Sequence, residues 1–148
     1  MHYLDRNCAP GGQYRHLKVI NVRVRAVWLG HGSYAAIGSF FTGSLTANPI
    51  THWWVEIQTE RSNVWFCAQF EVRGGSKSAL ALTQHDSASS VTRHGESTAN
   101  RWGDNPSITD KQDCPPYSGT IMGDIYDWME NYSSEYGVVM NNCQDFGN

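Results

Sequence analysis

Alternation of apolar and polar side chains marks the clearest elements of this chain. From Leu17 to Leu29, Ile20, Val22, Val24, Ala26 and Trp28 fall on one side and Asn21, Arg23 and Arg25 on the other, which predicts a strand with one wet face. A second alternating run, Thr51 to Gln58, reaches a polar turn at Thr59-Glu60-Arg61-Ser62-Asn63, and Val64 to Val72 returns as its antiparallel partner before Arg73-Gly74-Gly75. In this hairpin Trp53, Val55 and Ile57 match Phe66, Ala68, Phe70 and Val72 as one apolar, core-facing side. By parity His52, Trp54 and Glu56 share the other side with Trp65, Cys67, Gln69 and Glu71, and a turn near Arg61 brings residues 69 to 71 across from His52.

The helical period appears later. Ile121, Ile125, Trp128, Met129 and Tyr132 recur at three- and four-residue steps, with Asp124, Asp127 and Glu130 off the stripe, so Ser118 to Tyr132 is expected to be a helix with Trp and Met as core packing. Ala79-Leu80-Ala81-Leu82, within Ser76 to Gln84, fits a short strand or a helical turn equally. Residues 1–16 read as a turn-rich lead-in around Cys8-Ala9-Pro10-Gly11-Gly12, and Gly30 to Asn48 as a loop with at most a short helix. From His85 to Tyr117 the chain is rich in Ser, Thr, Asn, Asp, Gly and Pro. That stretch, about 85–117, is expected to be a long loop-rich excursion, with Trp102 as a latch onto the body. Together these elements predict one α+β domain over residues 1–148, a small antiparallel sheet packed against helices.

Composition narrows the partners. A net charge of -3 and a pI near 6.0, with no basic run interleaved with aromatics, argue against nucleic acid. No apolar stretch has the length of a membrane span, and Met1 to Arg6 lacks the apolar core of a signal peptide, so no transmembrane segment and a cytoplasmic location are expected. The four Cys, at 8, 67, 114 and 143, lack the spacing of a disulfide scaffold and are expected to be reduced thiols. The six His show no metal-ligand spacing, so neither metal nor cofactor is expected. The triplet Asn131-Tyr132-Ser133 would matter as a glycosylation site only in a secreted chain. Nothing in the sequence decides the oligomeric state.

Candidate chemistry gathers at two places. Near the end, Val138-Val139-Met140 leads into Asn141-Asn142-Cys143-Gln144-Asp145-Phe146, where Asn142 can cap a helix and Asp145 completes a capping-box-like pair. Cys143 then sits at the first helical position, where the positive end of the helix dipole favours the nucleophilic thiolate. Five residues follow it in this sequence, little more than one turn, and such a helix is not stable by itself: either the natural chain continues beyond Asn148, or neighbours hold the site, or activity has been lost. Cys8 is the other thiol that a downstream His52 could serve, but Pro10-Gly11-Gly12 cannot continue a helix begun there. The plainer alternatives are a small apolar Cys143 packed beside Phe146 and a structural strand histidine at His52.

The His-Trp opening of the strand at His52-Trp53, followed much later by Asn-Cys-Gln-Asp-Phe, resembles the circularly permuted papain-like thiol hydrolases, in which the His-bearing strand precedes the Cys-bearing helix. Within that superfamily it looks like the lecithin:retinol acyltransferase-like proteins, with a His-Trp strand and then Asn-Cys-Glu-His-Phe, and like the PPPDE group, with a His strand and then Asn-Cys-Asn-x-Phe. The likeness covers about residues 50–72 and 136–146. It implies a permuted papain-like fold and a hydrolase or acyltransferase acting on an acyl, peptide, isopeptide or thioester bond of a lipid, peptide or protein. Cys143 would be the nucleophile and His52 the base, with a polar third group holding the ring. The lecithin:retinol acyltransferase-like proteins usually carry a second His on the return strand; here that strand offers Gln69, the better placed by parity, or Glu71. The competing expectation is a non-catalytic, aromatic-rich binding domain that keeps the papain-like shell.

Overall fold

The computed structural model describes residues 2–28, 51–72, 78–100 and 108–131. Six strands form one sheet: β1 (His2–Leu4), β2 (Val19–Trp28), β3 (Thr51–Thr59), β4 (Trp65–Val72), β5 (Ser78–His85) and β6 (Ile108–Cys114), in the spatial order β1-β5-β4-β3-β2-β6. β1 runs parallel to β5 and every other pair is antiparallel, so the sheet is mixed where a purely antiparallel one is expected from sequence. Two helices, α1 (Ala88–Asn100) and α2 (Met122–Asn131), complete an α+β fold among the described residues.

The apolar face of the hairpin is the main core. Val55, Ile57, Phe66, Ala68 and Phe70 join Leu80 and Leu82 of β5, the lead-in residues Cys8, Ala9 and Leu17, and Met122, Tyr126 and Met129 of α2 in one apolar cluster. α2 starts where the Asp124 carboxylate accepts from the Ile121 N–H at 3.0 Å, half of a capping box. Its buried residues include Met122, Tyr126 and Met129; of the expected stripe Met129 is buried and Ile125 packs against the core, while Trp128 is 51% exposed. The lead-in is tied to this helix. Arg15 makes a two-pronged ion pair with Asp127, and Arg6 Nη1 donates to the Tyr126 hydroxyl at 2.8 Å.

Strand β2 departs from simple alternation. Its pairing with β3 shifts between Val19 and Asn21, a bulge that puts Val19 in the core and leaves Ile20 52% exposed. Beyond the bulge Val22 and Val24 face the core as the alternation predicts.

The long loop-rich excursion expected at 85–117 is corrected by the structure: it contains α1 and β6. α1 is short of strong helix formers and its buried stripe, Val91, Gly95 and Thr98, has one large apolar member, so hydrophobic periodicity is silent there. What holds it is an N-cap, Ser87 Oγ accepting from the Ser90 N–H at 3.1 Å, and its seat on the second face of the hairpin. β6, polar in sequence, ends the strand order and pairs with β2. The loop of 30–48, the Trp102 latch and the whole of 136–148, Cys143 included, lie outside the described residues.

α1 lies directly on Trp54, which is fully buried beneath Gly95, and a Cβ built at Gly95 would overlap the indole ring. Gly95→Ala therefore should destabilise the fold by about 1 to 3 kcal/mol through overpacking, even though Ala improves helix propensity by roughly 1 kcal/mol. Urea denaturation of the two proteins measures this, and an unchanged or higher midpoint would show that α1 does not rest on Trp54.

A buried histidine network as candidate functional site

The second face of the sheet carries polar side chains that α1 shuts away from water. His52, Trp54 and Glu56 from β3, Cys67, Gln69 and Glu71 from β4, and Thr98 from α1 are all buried. A buried polar group without a partner costs on the order of 1 to 3 kcal/mol, so the face is stable only if its atoms bond one another.

They do so in two clusters. In the first, Glu56 accepts from Trp54 Nε1 at 2.9 Å, Thr92 Oγ1 at 2.7 Å and Arg25 Nε at 3.1 Å, with Arg23 Nη1 3.9 Å away. Arg23 and Arg25, expected on a wet face, are drawn in as counter-ions to this carboxylate. In the second, His52 Nε2 lies 2.8 Å from Gln69 Oε1, and Gln69 Nε2 donates at 2.9 Å to both Glu71 Oε1 and Thr98 Oγ1. The Thr98 hydroxyl donates to the backbone carbonyl of His94 at 3.1 Å, and His94 Nε2 bonds the same Glu71 oxygen. The His85 ring lies 4.7 Å from that of His94 and shares a 2.9 Å hydrogen bond with Thr83.

This arrangement assigns a proton. A carboxylate only accepts, so the Gln69 NH2 must face Glu71 and its carbonyl oxygen must face His52. The His52 ring therefore carries its hydrogen on Nε2, and Nδ1 keeps a lone pair. Among the described residues no group bonds Nδ1. Burial pushes His52 down to about 4, against the opposing help of the Gln69 bond and the Glu71 charge, and His94 adds to the fall. His85 also falls to about 4, first through burial and then through His94.

Of the residues expected to form a site, His52 and Gln69 are in hydrogen-bond contact and Glu71 stands one bond behind them. Cys143 is outside the described residues. Sequence reasoning missed His94 and Thr98; their four-residue spacing on one helix face was readable, but only after α1 itself had been found. The other thiols differ sharply from an activated one. Burial and Asp5 push Cys8 up to about 12, and burial with Glu71 and Glu56 pushes Cys67 well above its usual range. Cys8 closes a 3-10 turn (Arg6–Cys8) and does not open an α-helix; it, Cys67 and Cys114 form no disulfide. Among the described residues no three His, Cys, Asp or Glu side chains are grouped to hold a metal ion, and no helix is long and apolar enough to cross a membrane. An open groove of about 400 Å³ lies at the β1–β5 edge between Tyr3, Leu4, Asp5, Leu82, Thr83 and Gln84; His52 and Gln69 are not in its walls.

The neutral ring of His52 has a consequence for stability. Between pH 6.5 and about 4 the unfolded imidazole takes up a proton that the native one does not, so stability falls as pH falls through that window. By pH 4 the loss from His52 should be about 3 kcal/mol, at roughly 1.4 kcal/mol per pH unit, and His85 adds to it in the same direction. Urea midpoints at pH 7 and pH 4.5 should differ less in His52→Gln than in the parent protein; an equal difference would mean that His52 titrates normally in the native state.

In comparisons with known proteins, the chain matches no family model, no curated protein and no solved structure.

Proposed function

We propose that this protein is a Cys-His thiol hydrolase or acyltransferase of the circularly permuted papain-like type, with Cys143 at a helix N-terminus as nucleophile and His52 as its base. The observation that carries the reading is the 2.8 Å bond from His52 Nε2–H to Gln69 Oε1, which leaves Nδ1 with its lone pair, bonded by no described residue, in a ring that is neutral at pH 7. A neutral, oriented imidazole is what a general base requires. Cys143 Sγ attacks the acyl carbon while its proton passes to His52 Nδ1, and the backbone N–H of Cys143 or Gln144 takes the oxyanion. The proton then goes to the leaving group, and water or a second acceptor releases the acyl group from sulfur. The substrate is an acylated lipid, peptide or protein.

One observation favours a second reading, a non-catalytic binding domain: His52 is only 6% exposed, inside a network that would be worth keeping for stability alone. An activity-based thiol probe with peptide mapping separates the two. At pH about 6 Cys8 and Cys67 are held protonated by burial, so Cys143 should be labelled before either, and His52→Ala should slow it towards them. Cys143→Ala and His52→Ala should each abolish acyl hydrolysis or transfer, the double variant being scarcely worse than either, because the pair acts as a unit. Full activity in Cys143→Ala, or labelling indifferent to His52, would leave the binding-domain reading in place.

A further inference from the structure

Three residues behind Gln69 deserve a role of their own. Gln69 is an amide, and an amide can present either end: turned over, it would offer NH2 to His52 and force the ring proton onto Nδ1, the wrong nitrogen for a base. Nothing in Gln69 itself prevents that rotation. What prevents it is the pair of acceptors on its other side, Glu71 Oε1 and Thr98 Oγ1, each 2.9 Å from Gln69 Nε2.

Those acceptors are themselves oriented from α1. The Thr98 hydroxyl hydrogen is committed to the His94 carbonyl at 3.1 Å, so its oxygen is left to accept from Gln69. The Glu71 oxygen that accepts from Gln69 also bonds His94 Nε2. Residue 94 thus acts twice, through its ring and through its backbone, and all four side chains are buried or partly so. We propose that His94, Thr98 and Glu71 are positioning residues that lock Gln69 and thereby hold His52 in the Nε2–H tautomer. In effect, the docking of α1 decides which nitrogen of His52 is the base. The lock is a property of the hydrogen-bond network; its catalytic meaning rests on the hydrolase reading.

Two-bond 1H–15N correlation spectra of the full-length protein read the His52 tautomer without any substrate. The parent protein should show Nε2–H alone at pH 7. Glu71→Gln gives residue 71 an NH2 that can face Gln69, and Thr98→Val removes an acceptor at nearly constant volume. Each should let Gln69 turn and produce a mixture with Nδ1–H, while Thr98→Ser should restore the single tautomer and His94→Gln, which keeps an N–H donor, should stay nearer the parent than His94→Leu. A variant that fails to fold is recognised by its urea transition, and the Thr98 pair, the mildest change, then serves alone. If Cys143 labelling is followed in parallel, its rate should scale with the Nε2–H fraction. An Nδ1–H ring in the parent, or an unmixed Nε2–H ring in both Glu71→Gln and Thr98→Val, would overturn the lock. A tautomer that shifts as expected while Cys143 labelling does not change would uphold the lock and defeat the hydrolase reading of His52.

Discussion

The structure depends on the satisfaction of one buried polar face. A sheet whose first face is buried in a cluster shared by the lead-in and α2 could have left its second face to water, and alternation in the sequence suggests as much. Instead α1 covers it, and a carboxylate at 56, a carboxamide at 69, a second carboxylate at 71 and an imidazole at 52 are buried together. Each would be costly by itself, so their positions are tied to one another far more tightly than those of an apolar layer. α1 is correspondingly a helix chosen for its hydroxyls and its ring. Thr92 serves Glu56, His94 serves Glu71, and Thr98 serves Gln69, which explains a sequence so poor in helix formers.

The two faces therefore divide the work. The Ile57, Phe66, Phe70, Leu80 and Leu82 side carries apolar burial and tolerates some adjustment, because dispersion and hydrophobic contacts have little directionality. The polar side has direction built in. Gly95 lets the helix axis come down onto the Trp54 ring, and that close approach brings the side chains at 94 and 98 within hydrogen-bond range of β4. Packing at one glycine and chemistry at one histidine are connected through a single helix.

How far the sequence discloses this follows from which forces leave a pattern. The hairpin is legible because strand alternation and a polar turn both mark it, and parity alone puts Gln69 on the His52 side. The bulge at Ile20 is not legible, since one extra residue inverts the expected faces without altering composition. α2 is found by its period, with Met129 and Ile125 against the core as expected, but its buried face is turned: Trp128 looks like core and is exposed, while Met122 and Tyr126 are buried in its stead. α1 and β6 escape altogether, because their stabilisation is hydrogen bonding and pairing in place of apolar periodicity. A loop composition and a helix buried through polar groups look alike when only residue types are counted.

Under the proposed function the same burial that makes His52 a neutral ring also resists the step asked of it. Moving a proton from a thiol to Nδ1 creates two charges where there were none, and a low-dielectric site opposes such separation unless each charge meets a partner. The thiolate and the imidazolium are one another's first partners. The second is Glu71, whose carboxylate lies one amide away and whose charge already favours the protonated ring against desolvation. Gln69 is suited to stand between them, since its carbonyl accepts from His52 while its NH2 donates to the carboxylate, so the positive charge formed on the ring is felt by Glu71 without direct contact. A histidine in place of Gln69 could orient the ring as well, but its own titration would be drawn into that of His52. An amide does not titrate, and the orientation it imposes is independent of pH for as long as Glu71 remains ionised.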